Sequence, residues 1–159
     1  MSILLVIATL LTAALYLPAW LSALKAARAA TGEPFSSEPS GPGGSGPAPA
    51  GALDVPSLLL AGGALAHAFA LYLAIGEGPG FHFGFAQALS ATFWIGVVLL
   101  WLEGLSVRVQ ALRLLVLPVA AVTATLPLLF PGSDFAVEST RPLFLPHLLV
   151  GTLAYGVLM

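Results

Sequence analysis

Three histidines are the residues in this chain best suited to chemistry in an apolar setting. His67 sits in ALAHAFALY, His82 in GPGFHFGF and His147 in LPHLLVG. Neutral imidazole is the commonest side-chain metal ligand, and an apolar surrounding keeps imidazole neutral by penalising its charged form. Haem iron accepts axial histidine, and a porphyrin needs an apolar slot between helices. Aromatic residues accompany the histidines: Phe81, Phe83 and Phe85 lead into Trp94 and Trp101, which are seven apart and so lie near one helical face. They offer a flat apolar wall for a macrocycle. The alternative is an interfacial belt with core packing, and histidines that hydrogen-bond Tyr72, Ser90, Thr92 or Tyr155 to hold helices together.

Other chemistry is poorly served. The serines lack a base and an acid at any recognisable spacing, so no nucleophilic site is expected, and the chain reads as no enzyme. Its glycine runs do not join a strand to a helix, so no phosphate cradle is indicated. With no cysteine there are no disulfides, thiolate metal sites, iron–sulfur clusters or covalent haem attachment on this chain.

The elements that must position these residues follow from composition. Of the 159 residues, 58% are hydrophobic and 8% charged, and the mean hydropathy is +1.01. Soluble domains carry about 25% charged residues, so this chain cannot build a polar skin. Five basic against seven acidic residues leave no footprint for nucleic acid. A membrane-crossing helix needs about 20 mostly apolar residues to traverse a core of about 30 Å. Five stretches are predicted to do so: Ile3 to Leu24, Pro56 to Gly76, about Phe83 to Leu102, Ala111 to Phe130, and Leu143 onward. Runs such as LLVIATLL and GVVLLWL do not alternate, which argues against barrel strands. The fold class is therefore an all-α transmembrane bundle. The first segment has no charged n-region and too long an apolar run for a cleaved signal. The fifth is still apolar at Met159, giving the expectation of a chain truncated after its fifth helix.

Lys25, Arg28, Arg108 and Arg113 fall on one side of such a bundle and Arg141 on the other. The positive-inside rule then puts the N-terminus and the 77–82 and 131–142 connections outside. Residues 1–29 form the first helix with its basic end. Residues 30–55 are Pro/Gly/Ser-rich and read as a disordered cytoplasmic linker, and residues 56–159 as a four-helix membrane core. Pro18 and Pro118 are predicted to kink their helices, and Gly62, Gly63 and Gly151 to admit close neighbours. Pro146 places His147 where the last helix is just beginning.

Depth bears on ligation. At about 1.5 Å per residue, His67 lies about 14 Å from the outer edge and His147 about 6 Å. Two axial nitrogens on one iron sit about 4 Å apart if each bond is about 2.0 Å. Tilt of about 20° and opposed side-chain directions can close the difference of about 8 Å. The alternatives are two separate haem contacts, or ligation by one histidine alone.

The stretches AHAFALY, GFHFGFAQALSATFW, LPVAAVTATLPLLFP and LPHLLVGTLAYGVL, in that order and spacing over about 100 residues from Ser57 onward, resemble the cytochrome c assembly protein family. The subgroup they most resemble is the HemX-related proteins of the bacterial inner membrane. The resemblance implies a polytopic membrane protein that binds or passes haem during cytochrome c maturation, alongside other maturation proteins and membrane lipid. It places His67 and His147 at the family's histidines, and the segment from Phe81 to Trp94 in its haem-contacting region. Phenylalanines stand here where the family's signature is rich in tryptophan, and His82 replaces a more usual amide. The expected site is thus His67 and His147 as metal ligands, with Phe83, Phe85 and Trp94 as the porphyrin wall. A small-molecule or ion transporter subunit, or a cofactor-free structural or regulatory membrane partner, is the alternative.

Overall fold

Apolar side chains on every face leave the backbone no water to bond, so its polar groups must pair within the segment, as helices allow. A computed structural model of the chain describes residues 2–32, 54–76, 81–104, 110–134 and 141–158. The helices are α1 (Ile3–Gly32), α2 (Val55–Gly76), α3 (Phe85–Gly104), α4 (Gln110–Leu129) and α5 (Phe144–Leu158), with short strands β1 (His82–Phe83) and β2 (Ser133–Asp134). Helices α1 to α4 are long and apolar enough to cross a membrane. The fifth predicted span is shorter: α5 has 15 residues, about 22 Å of helix against a core of about 30 Å.

Two boundaries differ from expectation at the segment read as a linker. Helix α1 continues through Gly32, and α2 starts at Val55 with Asp54 before it. Residues 33–53 of that segment lie outside the described residues. The Asp54 carboxylate accepts a hydrogen bond from the Ser57 amide at 2.9 Å, which satisfies one of the free donors of the first turn of α2.

Helices α1 to α4 form a ring in which α1 touches α2 and α4, α3 touches the same two, and α2 meets α4 across the middle. Among the described residues α5 lies outside this ring and packs on α3 alone. Gly156 of α5 lies against Ile95 of α3, whereas Gly151 faces open space, contrary to expectation. The core is built from Tyr16, Ala19, Leu60, Ala64, Val97, Leu117 and Ala120. A second cluster joins Leu5 and Ala8 to Ala70 and Ala74. Alanine dominates because small side chains let helix backbones approach where lipid supplies no hydrophobic drive.

Pro18 and Pro118 do lie inside helices. A proline removes the donor for the carbonyl four residues earlier, so Pro118 frees the Leu114 carbonyl. The Trp20 indole N–H of α1 donates to that carbonyl at 3.1 Å. A proline defect in α4 thereby becomes a bond between helices.

The connections after α2 and α4 are stitched by an antiparallel ribbon that sequence reading did not anticipate, with His82 opposite Asp134 and Phe83 opposite Ser133. Gly132 makes it possible, since a Cβ there would stand 2.5 Å from the Phe83 carbonyl carbon. The side chain of Gln87, near the start of α3, donates to the Phe130 carbonyl at 3.3 Å and ties the same end together.

Candidate functional site: a buried imidazole node and an exposed imidazole

His67 is completely buried, on the face of α2 that meets both α1 and α3. Its Nδ1 lies 3.2 Å from the Tyr16 hydroxyl of α1, and its Nε2 lies 2.9 Å from the Ser90 hydroxyl of α3. The Tyr16 ring also meets the imidazole edge-on, with centroids 5.9 Å apart. Local sequence builds this node. Gly63, one turn from His67, has no side chain where the Tyr16 ring lies; a Cβ there would stand 2.5 Å from that ring. Trp94, one turn from Ser90, donates its indole N–H to the Ala64 carbonyl at 2.8 Å and holds α3 on α2. Three helices are thus joined through one ring in a dry interior.

Of the four hydrogen-bond partners suggested by sequence, Ser90 is one that His67 uses. Tyr72 and Tyr155 are exposed, and Thr92 donates to the Ala88 carbonyl of its own helix. Tyr16 was missed. Its only signal is that it is a tyrosine within an apolar span, a place where a buried phenol needs a partner.

His147 has the opposite environment. Its amide already bonds the Leu143 carbonyl, so it stands in the opening turn of α5 as Pro146 suggested. Its residue is exposed. Among the described residues α5 packs on α3 alone, so His147 and His67 sit on helices without a contact between them. Both ring nitrogens of His67 lie within hydrogen-bond distance of protein hydroxyls, whereas His147 is exposed. Among the described residues no group of three histidine or acidic side chains is placed to hold a metal ion.

The proposed aromatic wall is also divided. Trp94 is committed to its bond between α3 and α2. Phe83 stacks on Phe81 with centroids 6.0 Å apart, on the ribbon. Phe85, at the start of α3, is 81% exposed. Phe85 and His147 are both exposed, on the neighbouring helices α3 and α5. An apolar cleft of about 280 Å³ between α1 and α4, walled by Tyr16, Trp20, Leu117 and Pro118, includes none of the five residues predicted for the site.

Four buried polar atoms lack a hydrogen-bond partner among the described residues. Arg113, counted in the sequence among the basic residues of one side, lies in the first turn of α4 and is only 8% exposed. Its Nε and the Trp101 Nε1 are buried without a hydrogen-bond partner, as are the Gln87 Oε1 and the His82 Nδ1 at the ribbon end. Comparison of the chain with protein-family models, curated proteins and solved structures gives no match.

Proposed function

We propose that this chain is a haem-handling membrane protein of the cytochrome c assembly type, in which His147 would hold the haem iron. The observation that carries the reading is that His147, in the first turn of α5, is exposed, while α5 packs on α3 among the described residues. The resemblance in AHAFALY, GFHFGFAQALSATFW and LPHLLVGTLAYGVL supports it. Haem, when bound, would supply an iron that takes an imidazole ligand. The chain would supply the exposed His147 imidazole and the exposed Phe85 ring. His67 has a structural task in this reading, joining α1, α2 and α3. The location that goes with it is a bacterial inner membrane, with the ribbon end outside.

A second reading, a membrane partner without cofactor, is favoured by the hydrogen bonding of both His67 nitrogens. Optical titration of the detergent-purified chain with hemin separates the two. The haem reading expects a shifted Soret band that His147→Ala abolishes and His67→Ala retains. A spectrum that hemin leaves as free hemin in the unsubstituted chain overturns it in favour of the second, and a shifted band indifferent to His147→Ala overturns the role of His147.

A further inference from the structure

The end of the bundle that carries Asp54 holds two hydrogen-bond donors that find no acceptor among the described residues. Arg113 of α4 is 8% exposed, and its Nε is enclosed without a partner. The indole Nε1 of Trp101 in α3 is enclosed in the same way. Asp54 feels the Arg113 guanidinium as a charge, but its carboxylate is hydrogen-bonded by the Ser57 amide and side chain instead. A buried polar group without a partner costs free energy, and a buried cation more so. Two stranded donors at one end of the bundle therefore point to an acceptor from outside the chain.

The helix pair sets both donors at one level. Residues 105–109 alone separate α3 from α4, about 20 Å of chain at full stretch against about 30 Å of helix, so the two helices run antiparallel. Val97 and Leu117 belong to one core cluster, and Trp101 packs against it. Trp101 stands one turn beyond Val97 toward the end of α3, and Arg113 one turn before Leu117 toward the start of α4, each on the face of its core residue. The terminal nitrogens of Arg113 are not among the enclosed atoms, so the guanidinium reaches the surface at its tip. The first turn of a membrane-crossing helix lies near the depth of lipid headgroups. Their phosphate oxygens accept several hydrogen bonds at once and match the guanidinium fork. Basic pockets between spanning helices bind headgroups on this principle. We propose that Arg113 and Trp101 form a binding site for the phosphate of a membrane phospholipid, at the end of the bundle opposite the β1–β2 ribbon. Arg113 supplies the charge and several donors, and the Trp101 indole supplies one directed donor. The site stands independently of the haem reading.

The test uses the delipidated whole chain in a maltoside detergent and phosphate-free buffer. Nitrogen-15 NMR follows the tryptophan indole and arginine Nε–H signals. The chain has three tryptophans, and Trp20 and Trp94 already donate to carbonyls, so their signals are internal references. Trp101→Phe and Arg113→Lys identify the other two signals. Dihexanoyl phosphatidylglycerol is expected to shift the Trp101 and Arg113 signals along one saturating curve and to leave the reference indoles in place. Dihexanoylglycerol, with the same chains and no phosphate, is expected to shift neither, as is inorganic phosphate at the same concentration. Arg113→Gln is expected to weaken the response of Trp101 to the lipid about tenfold, the weight of a hydrogen bond to a charged group. No response to the phospholipid, or an equal response to dihexanoylglycerol, overturns the proposal. An equal response to inorganic phosphate overturns the lipid as the source of the phosphate. A folded Arg113→Gln variant in which Trp101 titrates as before overturns the role of Arg113. Should that variant fail to fold, the unsubstituted chain decides: separate midpoints for the two signals overturn a shared site.

Discussion

Asp54 shows how much a single side chain at a helix end can set. Burial works to raise its carboxyl, but hydrogen bonds from the Ser57 side chain and amide, together with the Arg113 charge, outweigh it and hold the group below the ordinary carboxylate range. A depressed value in the folded state contributes stability that is present above the unfolded value of about 4. That contribution is lost as pH falls through the folded value. Asp54→Ala is expected to lower stability at neutral pH by about 1 kcal/mol, the usual cost of losing a cap. It is also expected to flatten the fall of Tm between pH 5 and pH 3; an unaltered pH slope in detergent-solubilised protein would refute the assignment. At this scale residue type was legible and pairing was not. Ser90 stood among the candidate partners of His67, but Tyr16, 51 positions away, was not among them. Which phenol meets the ring depends on how α1 crosses α2. Tyr72, five residues from His67 on the same helix, points out of the bundle instead.

Elements meet through absent side chains as much as present ones. Gly62 and Gly63 look equivalent in the sequence, and both were read as sites of close approach. A Cβ on Gly62 would meet the Leu15 side chain at an ordinary 3.6 Å, whereas one on Gly63 would drive into the Tyr16 ring. Gly63→Ala is expected to displace the phenol from His67 and to destabilise by about 1–3 kcal/mol, the typical cost of overpacking. Gly62→Ala should be neutral or slightly stabilising, because alanine favours helix. Thermal unfolding of the two variants side by side checks this, and equal losses would show that the notch has no special role. Trp94 was expected at a porphyrin wall, and the structure gives its indole a bond to the Ala64 carbonyl. Trp20 does the same for the carbonyl that Pro118 releases. Neither use was legible, because a free carbonyl on one helix and an indole on another are matched only by helix packing.

Across the whole molecule, four apolar helices joined in a ring put Asp54 and Glu103 at one end and the β1–β2 ribbon at the other. The absence of cysteine makes this directly testable by single substitutions. In membrane vesicles, Ser133→Cys is expected to react with an impermeant maleimide from one side, and Glu103→Cys only from the opposite side. Labelling of both from the same side would mean that α4, which separates them, does not cross. The positive-inside count further predicts that Ser133 is the outer one.

Hydropathy alone determined the helices and the all-α membrane class, because an apolar run leaves its backbone no partner other than itself. The chemistry of imidazole likewise singled out His67 and His147 before any fold was known. What only the tertiary structure decided is the environment of each ring. Both histidines sit in equally apolar sequence, yet α2 lies inside the ring of helices and α5 outside it. Helical periodicity records which residues share a face, but not which neighbour that face will meet. Packing supplied His67 with two hydroxyls from other helices and left His147 exposed.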